Sequence, residues 1–361
     1  MDTFKKFIKD YTQTELEDIF EKSGFHRYRA RQVWRDVFHR RACDFDSMSS
    51  LPKKLRAYLN NNFQLNSLEC LANKKSSDGT IKYLFSLFDN ESIEAVLIPD
   101  AKNTEKSADV LKYTLCVSTQ AGCALNCTFC ATGKLGFKRN LTTSEIIEQY
   151  FLAEKLSGGK ITNIVYMGMG EPLLNYENVI KSIRLLTDIK AIAQSKITVS
   201  TAGIAPAIIK LAAEGLKVKL AISLHATDNA NRKKLIPIAS KYGIKALLEA
   251  AEAYYRATRQ PITYEYILFE DFNDTPEDIR RLIKISRRVS SKINLIKYHD
   301  IAFLPLTGMA AELRGASLVS IKGFISELEK AHVRVFQRTS SGFDIDAACG
   351  QLALSKRQSL F

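Results

Sequence analysis

The sequence predicts an α/β protein: a parallel sheet wrapped by helices, preceded by a small helical domain and a β-hairpin. Three observations carry this. From residue 111 onward, short apolar strand segments alternate with helical ones whose ends are readable. Residues 1–75 repeat apolar side chains at helical spacing. Residues 76–110 hold two strand-like runs bounded by turn signals. The expected division is therefore 1–75, 76–110 and 111–361. Alternation alone leaves an open sheet and a whole or partial barrel equally standing.

In the front segment, Leu16, Ile19 and Phe20 line one helix over Glu15–Lys22. Val33, Trp34, Val37 and Phe38 line a second over Arg29–Phe38, and Leu51-Pro52 opens a third. The stretch His26–Arg41 contains six arginines, two histidines and one acid, interleaved with Tyr28 and Trp34. A solvated face explains any single arginine; the set fits phosphate contact and base stacking in RNA. Asp78-Gly79 and Asp89-Asn90 flank Thr80–Phe88 and Ser92–Ile98, the expected hairpin, and Asp100–Asp109 reads as a surface loop. Glu94 is the lone acid of the second hairpin strand, a position that ordinarily faces solvent.

In the core, strands are expected at Tyr113–Ser118, Ile161–Tyr166, Lys196–Ser200, Val218–Ile222, Thr263–Leu268, Ile293–Lys297 and Val333–Gln337. Thr142-Thr-Ser-Glu145 is a capping box, and Thr275-Pro-Glu-Asp278 opens another helix. Chemistry in parallel α/β folds collects at the carboxyl ends of strands. There lie the cysteine loop after the first core strand, Gly168-Met-Gly170-Glu171-Pro172 after the second, Ser200 at the third and Ser223-Leu224-His225 at the fourth.

Composition narrows the function. The 361 residues are 46% hydrophobic and 25% charged, ordinary for a globular protein. No apolar run approaches a signal peptide or a membrane span. Seven cysteines, clustered rather than spread, read as a cytoplasmic metal or redox protein and not a disulfide scaffold. The net charge of +13 suggests a polyanionic partner.

The densest chemical signal is Cys123, Cys127 and Cys130, spaced C-x3-C-x2-C. Tetrahedral zinc wants four protein ligands, and no fourth is nearby in sequence. A 4Fe–4S cube held by three thiolates fits better, because one iron stays open to a non-protein ligand. A zinc loop or an electron-carrying cluster remains the alternative. With Phe129 before the last cysteine, the loop resembles the signature of radical S-adenosylmethionine (SAM) enzymes, in which SAM chelates the open iron. On that resemblance Glu171 would accept the methionine ammonium. Ser200 and Ser223 would bond the SAM carboxylate or ribose. No G-x-S-x-G elbow is present to make either serine a nucleophile. His225 is as consistent with a satisfied buried histidine, and Met167 and Met169 read as packing. Cys116 and Cys349 stand apart from the loop, while Cys43 and Cys70 carry no motif and read as structural.

Taken as a set, Ala-Gly-Cys-Ala-Leu-Asn-Cys-Thr-Phe-Cys, Gly-Met-Gly-Glu-Pro-Leu-Leu-Asn175, Ser223-Leu-His225 and Asp-Ile-Asp-Ala-Ala-Cys349-Gly-Gln resemble the RlmN/Cfr family of radical-SAM RNA methyltransferases. The resemblance covers most of the chain and implies a partial (β/α)6 barrel. It implies methylation of carbon 2 of an adenosine in 23S rRNA, and of tRNA, with two SAM per turnover and an electron donor such as flavodoxin or ferredoxin. By position, Cys123, Cys127 and Cys130 would hold the cluster. Gly170, Glu171, Ser200, Ser223, Leu224, His225 and Asn294 would line the SAM pocket. Cys349 would carry the methyl group, Cys116 would resolve the RNA adduct and Glu94 would take the proton. Carbon 8, the Cfr outcome, is the alternative; Glu-Pro after Gly170 and the paired alanines before Cys349 favour carbon 2. The loop Leu295–Ile301 departs from the family's proline-containing pattern. A non-catalytic RNA binder with a structural zinc or iron–sulfur loop would leave Cys349, Glu171 and Ser223 without a role.

Overall fold

The computed structural model describes residues 5–100, 110–301, 303–338 and 341–352. The expected loop at 101–109 lies outside the described residues. One ten-stranded sheet organises the chain, and its strands lie side by side in sequence order. They are β1 (Leu68–Lys75), β2 (Ile81–Leu87), β3 (Ser92–Pro99), β4 (Lys112–Cys116), β5 (Lys160–Tyr166), β6 (Ile197–Thr201), β7 (Lys219–Ser223), β8 (Ile262–Leu268), β9 (Ser291–Lys297) and β10 (Val335–Arg338). From β4 to β10 every pairing is parallel. From β1 to β4 every pairing is antiparallel. Strands β4–β9 are the six of the (β/α)6 run, and β10 adds a seventh parallel strand at their edge.

Two differences from the sequence reading have physical causes. The helical pattern was expected to residue 75, but the third front helix ends at Asn62 and Leu68–Lys75 is a strand. Its alternating burial is that of a sheet edge, with Lys74 and Lys75 solvated at its end. The hairpin is also no separate linker, because β3 pairs with β4 and so extends the main sheet. The front helices are Gln13–Lys22, Tyr28–Phe38 and Lys53–Asn62.

Register decides which residues can meet. Val96 pairs Cys116, Cys116 pairs Val165, and Val165 pairs Thr198. Ser200 pairs Ala221, Ser223 pairs Glu265, Glu265 pairs Asn294, and Ile296 pairs Arg338. Side chains two apart share a face. Glu94, Cys116, Ser200, Ser223, Glu265, Asn294 and Arg338 therefore lie on one face of the sheet. The opposite face, with Ile164, Val199, Leu220, Tyr264 and Leu295, is buried in the main apolar core. The expected capping box forms at Thr142/Glu145, and the helix opened at Thr275 carries a second one with Asp278. No helix among the described residues is long and apolar enough to cross a membrane.

Candidate active site

A cavity opens at the carboxyl ends of these strands. Its wall includes Cys123, Cys127, Cys130, Gly170, Glu171, Ser200, Ser223, His225, Glu265, Arg338 and Cys349. Three strand-end loops and the C-terminal tail thus converge on one space, as the placement of the motifs predicted.

The cysteine loop is shaped by its own backbone. Asn126 adopts a left-handed conformation (φ 49°), and Gly133 lies so close beneath it that an added Cβ would meet Asn126 Cα at 3.1 Å. Burial raises all three thiols, Cys123 to about 12 and Cys127 well above its ordinary value. Thiols so buried stay neutral unless a metal charge draws off the proton. Three such donors on one wall suit a thiolate-held cluster, and the same cavity leaves room for a small molecule at an open iron.

Glu171 is held on both oxygens. Oε2 accepts the Ala202 N–H at 2.7 Å and Oε1 accepts the Leu173 N–H at 3.0 Å. Burial nevertheless pushes its carboxyl up to about 7, against those bonds. A buried carboxylate so placed gains from an ammonium partner. Gly170 makes this possible: its φ is +96°, and a Cβ would meet Gln120 Cβ at 2.5 Å. Gln120 Oε1 in turn accepts the Glu171 N–H at 2.9 Å.

His225 is a neutral imidazole. Its Nδ1 accepts the Ile267 N–H at 3.1 Å, and burial lowers its pKa to about 3. The satisfied-histidine reading holds, yet the ring also lines the cavity, edge-on to Phe129 at 4.8 Å. Leu224 is fully buried and acts through backbone, giving its N–H to Glu265 O. Asn294 is not at the cavity wall; its amide donates to Glu265 Oε1 at 3.0 Å. Met169 is buried as packing, whereas Met167 lines the cavity.

Cys349 reaches the cavity because its tail is fastened on two sides. The Ala131 N–H donates to Gly350 O at 2.7 Å, beside the cysteine loop. On the hairpin side, Gly342 N donates to Asp78 Oδ2 at 2.9 Å, Ser77 N to Asp344 Oδ2 at 3.1 Å, and Lys82 Nζ to Asp346 O at 3.2 Å. Cys116, raised to about 12 by burial, and Cys349 both bear on the Arg338 guanidinium, which they hold above its usual value. Glu94 does not face solvent. It is 1% exposed and paired with Lys82 at 3.2 Å, on the sheet face it shares with Cys116.

Sequence reasoning missed Glu265 and Arg338. Glu265 is a single acid in an apolar strand, the same signal that Glu94 gave, and its Oε2 is buried without a partner among the described residues. The arginine-rich helix is less free than its composition suggests. Arg27, Arg31, Arg40 and Arg41 each hold carboxylates, and Trp34 packs on Phe38 at 4.9 Å. Tyr28, half exposed, with Arg29 over its ring at 4.7 Å, keeps the character of a stacking pair. Cys43 is exposed and so does not pack as a structural cysteine, while Cys70 is half-buried.

The strand-end cavity and its three-thiol loop define the class, and comparison with known proteins agrees. Residues 117–283 match the Radical SAM superfamily, and residues 8–65 match the ribosomal RNA large subunit methyltransferase N-terminal domain. A radical SAM methyltransferase from Sphaerobacter thermophilus, solved by crystallography, superposes with a TM-score of 0.86 at 37% identity, covering 96% of this chain and 99% of that one. Proteins described as probable dual-specificity RNA methyltransferase RlmN align nearly end to end. That of Thermotoga maritima is 42% identical over 98% of this chain and 99% of its own; that of Akkermansia muciniphila is 39% identical over 97% and 96%. The chain belongs to the RlmN family of radical SAM methyltransferases.

Proposed function

We propose that this protein is a dual-specificity RNA methyltransferase that methylates carbon 2 of an adenosine in 23S rRNA and in tRNA, by way of S-methylated Cys349. The observation that carries the reading is that Cys349 and Arg338 line the same cavity as the three-cysteine loop, on the sheet face that Arg338 shares with Cys116. A zinc loop in an RNA binder has no use for that second thiol pair.

Cys123, Cys127 and Cys130 would hold a 4Fe–4S cluster, with Glu171 accepting an N–H of the SAM amine. When bound, these groups supply one-electron cleavage and the methyl carbon. A small one-electron carrier such as flavodoxin or ferredoxin would deliver the electron. Carbon 2 of adenine carries no acidic proton, so polar methyl transfer has no foothold there. Cys349 therefore takes the methyl group first, its thiolate displacing S-adenosylhomocysteine. Arg338 shares the cavity wall with Cys349. Ser200 and Ser223 offer hydroxyls to the ligand, and neutral His225 offers its Nε2–H. The radical chemistry that the cluster and SAM supply would remove one hydrogen atom from the S-methyl group, so that its carbon joins carbon 2, and would take up the adduct's odd electron; Glu94, paired with Lys82, takes the carbon-2 proton from that adduct. Cys116 then attacks Cys349 sulfur: a disulfide forms, the bond from that sulfur to the methylene carbon on the base breaks, and that carbon takes a proton to become the methyl group.

The test is nucleoside mass spectrometry on 23S rRNA and tRNA incubated with the anaerobically purified protein, SAM and a reductant. The reading expects 2-methyladenosine in both RNAs. Exclusive 8-methyladenosine would move the protein to the Cfr reaction, and no methyladenosine at all would remove the proposal.

A further inference from the structure

Arg232 belongs to no motif used above, yet its environment is unusual for an arginine. It sits in the short helix Asn229–Leu235 and is 0% exposed. A guanidinium removed from water needs partners for its charge and its five N–H donors. Its Nε donates to Leu224 O at 3.1 Å, and Nη2 donates to Ala202 O at 2.6 Å and Ser223 O at 3.0 Å. These acceptors are neutral carbonyls at the ends of β6 and β7. Nη1 is buried and has no hydrogen-bond partner among the described residues.

The helix that carries Arg232 is also the platform for the cysteine loop. Thr128 N donates to Leu235 O at 2.9 Å, and Thr128 Oγ1 to Lys234 O at 2.6 Å. Cys127 packs against the cluster formed by Ala202, Leu235 and Ile236. Ala202, whose carbonyl Arg232 grips, lines the cavity together with Cys127.

We propose that Arg232 is a positioning residue for electron entry: its fixed charge and its buried Nη1–H, without a partner among the described residues, sit in the helix to which the cysteine loop is bonded and make the cluster easier to reduce. This rests on the cluster reading of Cys123, Cys127 and Cys130. One-electron reduction adds a negative charge to that core. A cation fixed nearby in a water-poor site stabilises the reduced form more than the oxidised form, and hydrogen bonds to sulfur act in the same direction. A purely structural role, tying three carbonyls together, predicts no such effect.

The experiment is an EPR-monitored redox titration of the full-length, reconstituted protein without SAM, comparing wild type, Arg232→Gln and Arg232→Lys, each with its iron content measured. At a fixed reducing poise, the ratio of reduced to oxidised cluster should fall about tenfold in R232Q, a shift of about 59 mV for a one-electron couple. R232K, which keeps the charge, should lose no more than about threefold (on the same scale). Unchanged potential in an R232Q protein with full iron overturns the proposal. A shift seen only after SAM is added also overturns it, since the guanidinium would then serve the SAM carboxylate. Should R232Q lose its cluster, wild type labelled with ¹⁵N-arginine decides: nitrogen hyperfine coupling to the reduced cluster is expected, and its absence is fatal. A wild-type protein that assembles no cluster removes the cluster reading itself, a failure visible before any variant is compared.

Discussion

Two groups of cysteines, all but Cys116 lining one cavity, are built in opposite ways. Cys123, Cys127 and Cys130 come from a single loop, closed by local hydrogen bonds such as Cys130 N to Cys127 O at 3.2 Å. Cys116 ends a strand, and Cys349 arrives in a tail clasped by the hairpin through Asp78, Asp344 and Lys82. The difference teaches that the metal site depends on local sequence, whereas the thiol pair depends on the whole fold. Damage to the loop should remove the cofactor; damage to the pair should spare it.

The largest expected effect follows from that split. Cys123→Ala, Cys127→Ala or Cys130→Ala should reduce bound iron from ~4 per chain to near zero and abolish methylation, read by iron analysis and nucleoside mass spectrometry. Cys349→Ala should keep full iron yet make no product, and Cys116→Ala should keep full iron and trap RNA covalently, visible as a gel shift that survives denaturation. Iron loss in the Cys349 variant would break the comparison, because that thiol would then be a cluster ligand.

Glu171 sharpens it from the ligand side. Glu171→Gln should weaken SAM binding about tenfold, roughly 1.4 kcal/mol, with cluster content unchanged. Since burial raises the carboxyl to about 7, it is protonated below that pH and ionised above it. Its strength as an acceptor for the amine N–H therefore grows as pH rises from 6 to 8. Calorimetric SAM binding should strengthen over that window in the native protein and be flat in the glutamine variant.

Smaller effects test the scaffold. Gly170→Ala forces a Cβ against Gln120 at a left-handed φ, and should cost about 1–3 kcal/mol in denaturant unfolding. Asp344→Asn should cost less and should chiefly loosen the tail, read as several-fold faster alkylation of Cys349 with iron content held constant. Equal protection in the variant would mean that the clasp does not hold that thiol.

The same contrast explains how much could be read before the fold was known. The cysteine loop, the capping boxes and the strand-end motifs are signals written within a dozen residues, and each appears where expected. Glu94 and Lys82 pair across strands, and Asn294 meets Glu265 only through the register of β8 and β9. No local pattern specifies such pairs, so a buried acid in a strand looked like a solvent-facing one. Arg338 and Arg232 were passed over because a single arginine is ordinarily solvated; only the packing around them makes them unusual. Leu68–Lys75 was read as helical because a short edge strand has little periodicity to set against the helices before it.

The most direct measurement is EPR and hyperfine spectroscopy of the reduced wild-type protein with SAM labelled at its amino nitrogen and carboxylate oxygen. A cluster held by Cys123, Cys127 and Cys130 predicts strong coupling of both labels to one iron. Absence of either coupling in protein carrying a full complement of iron would contradict it.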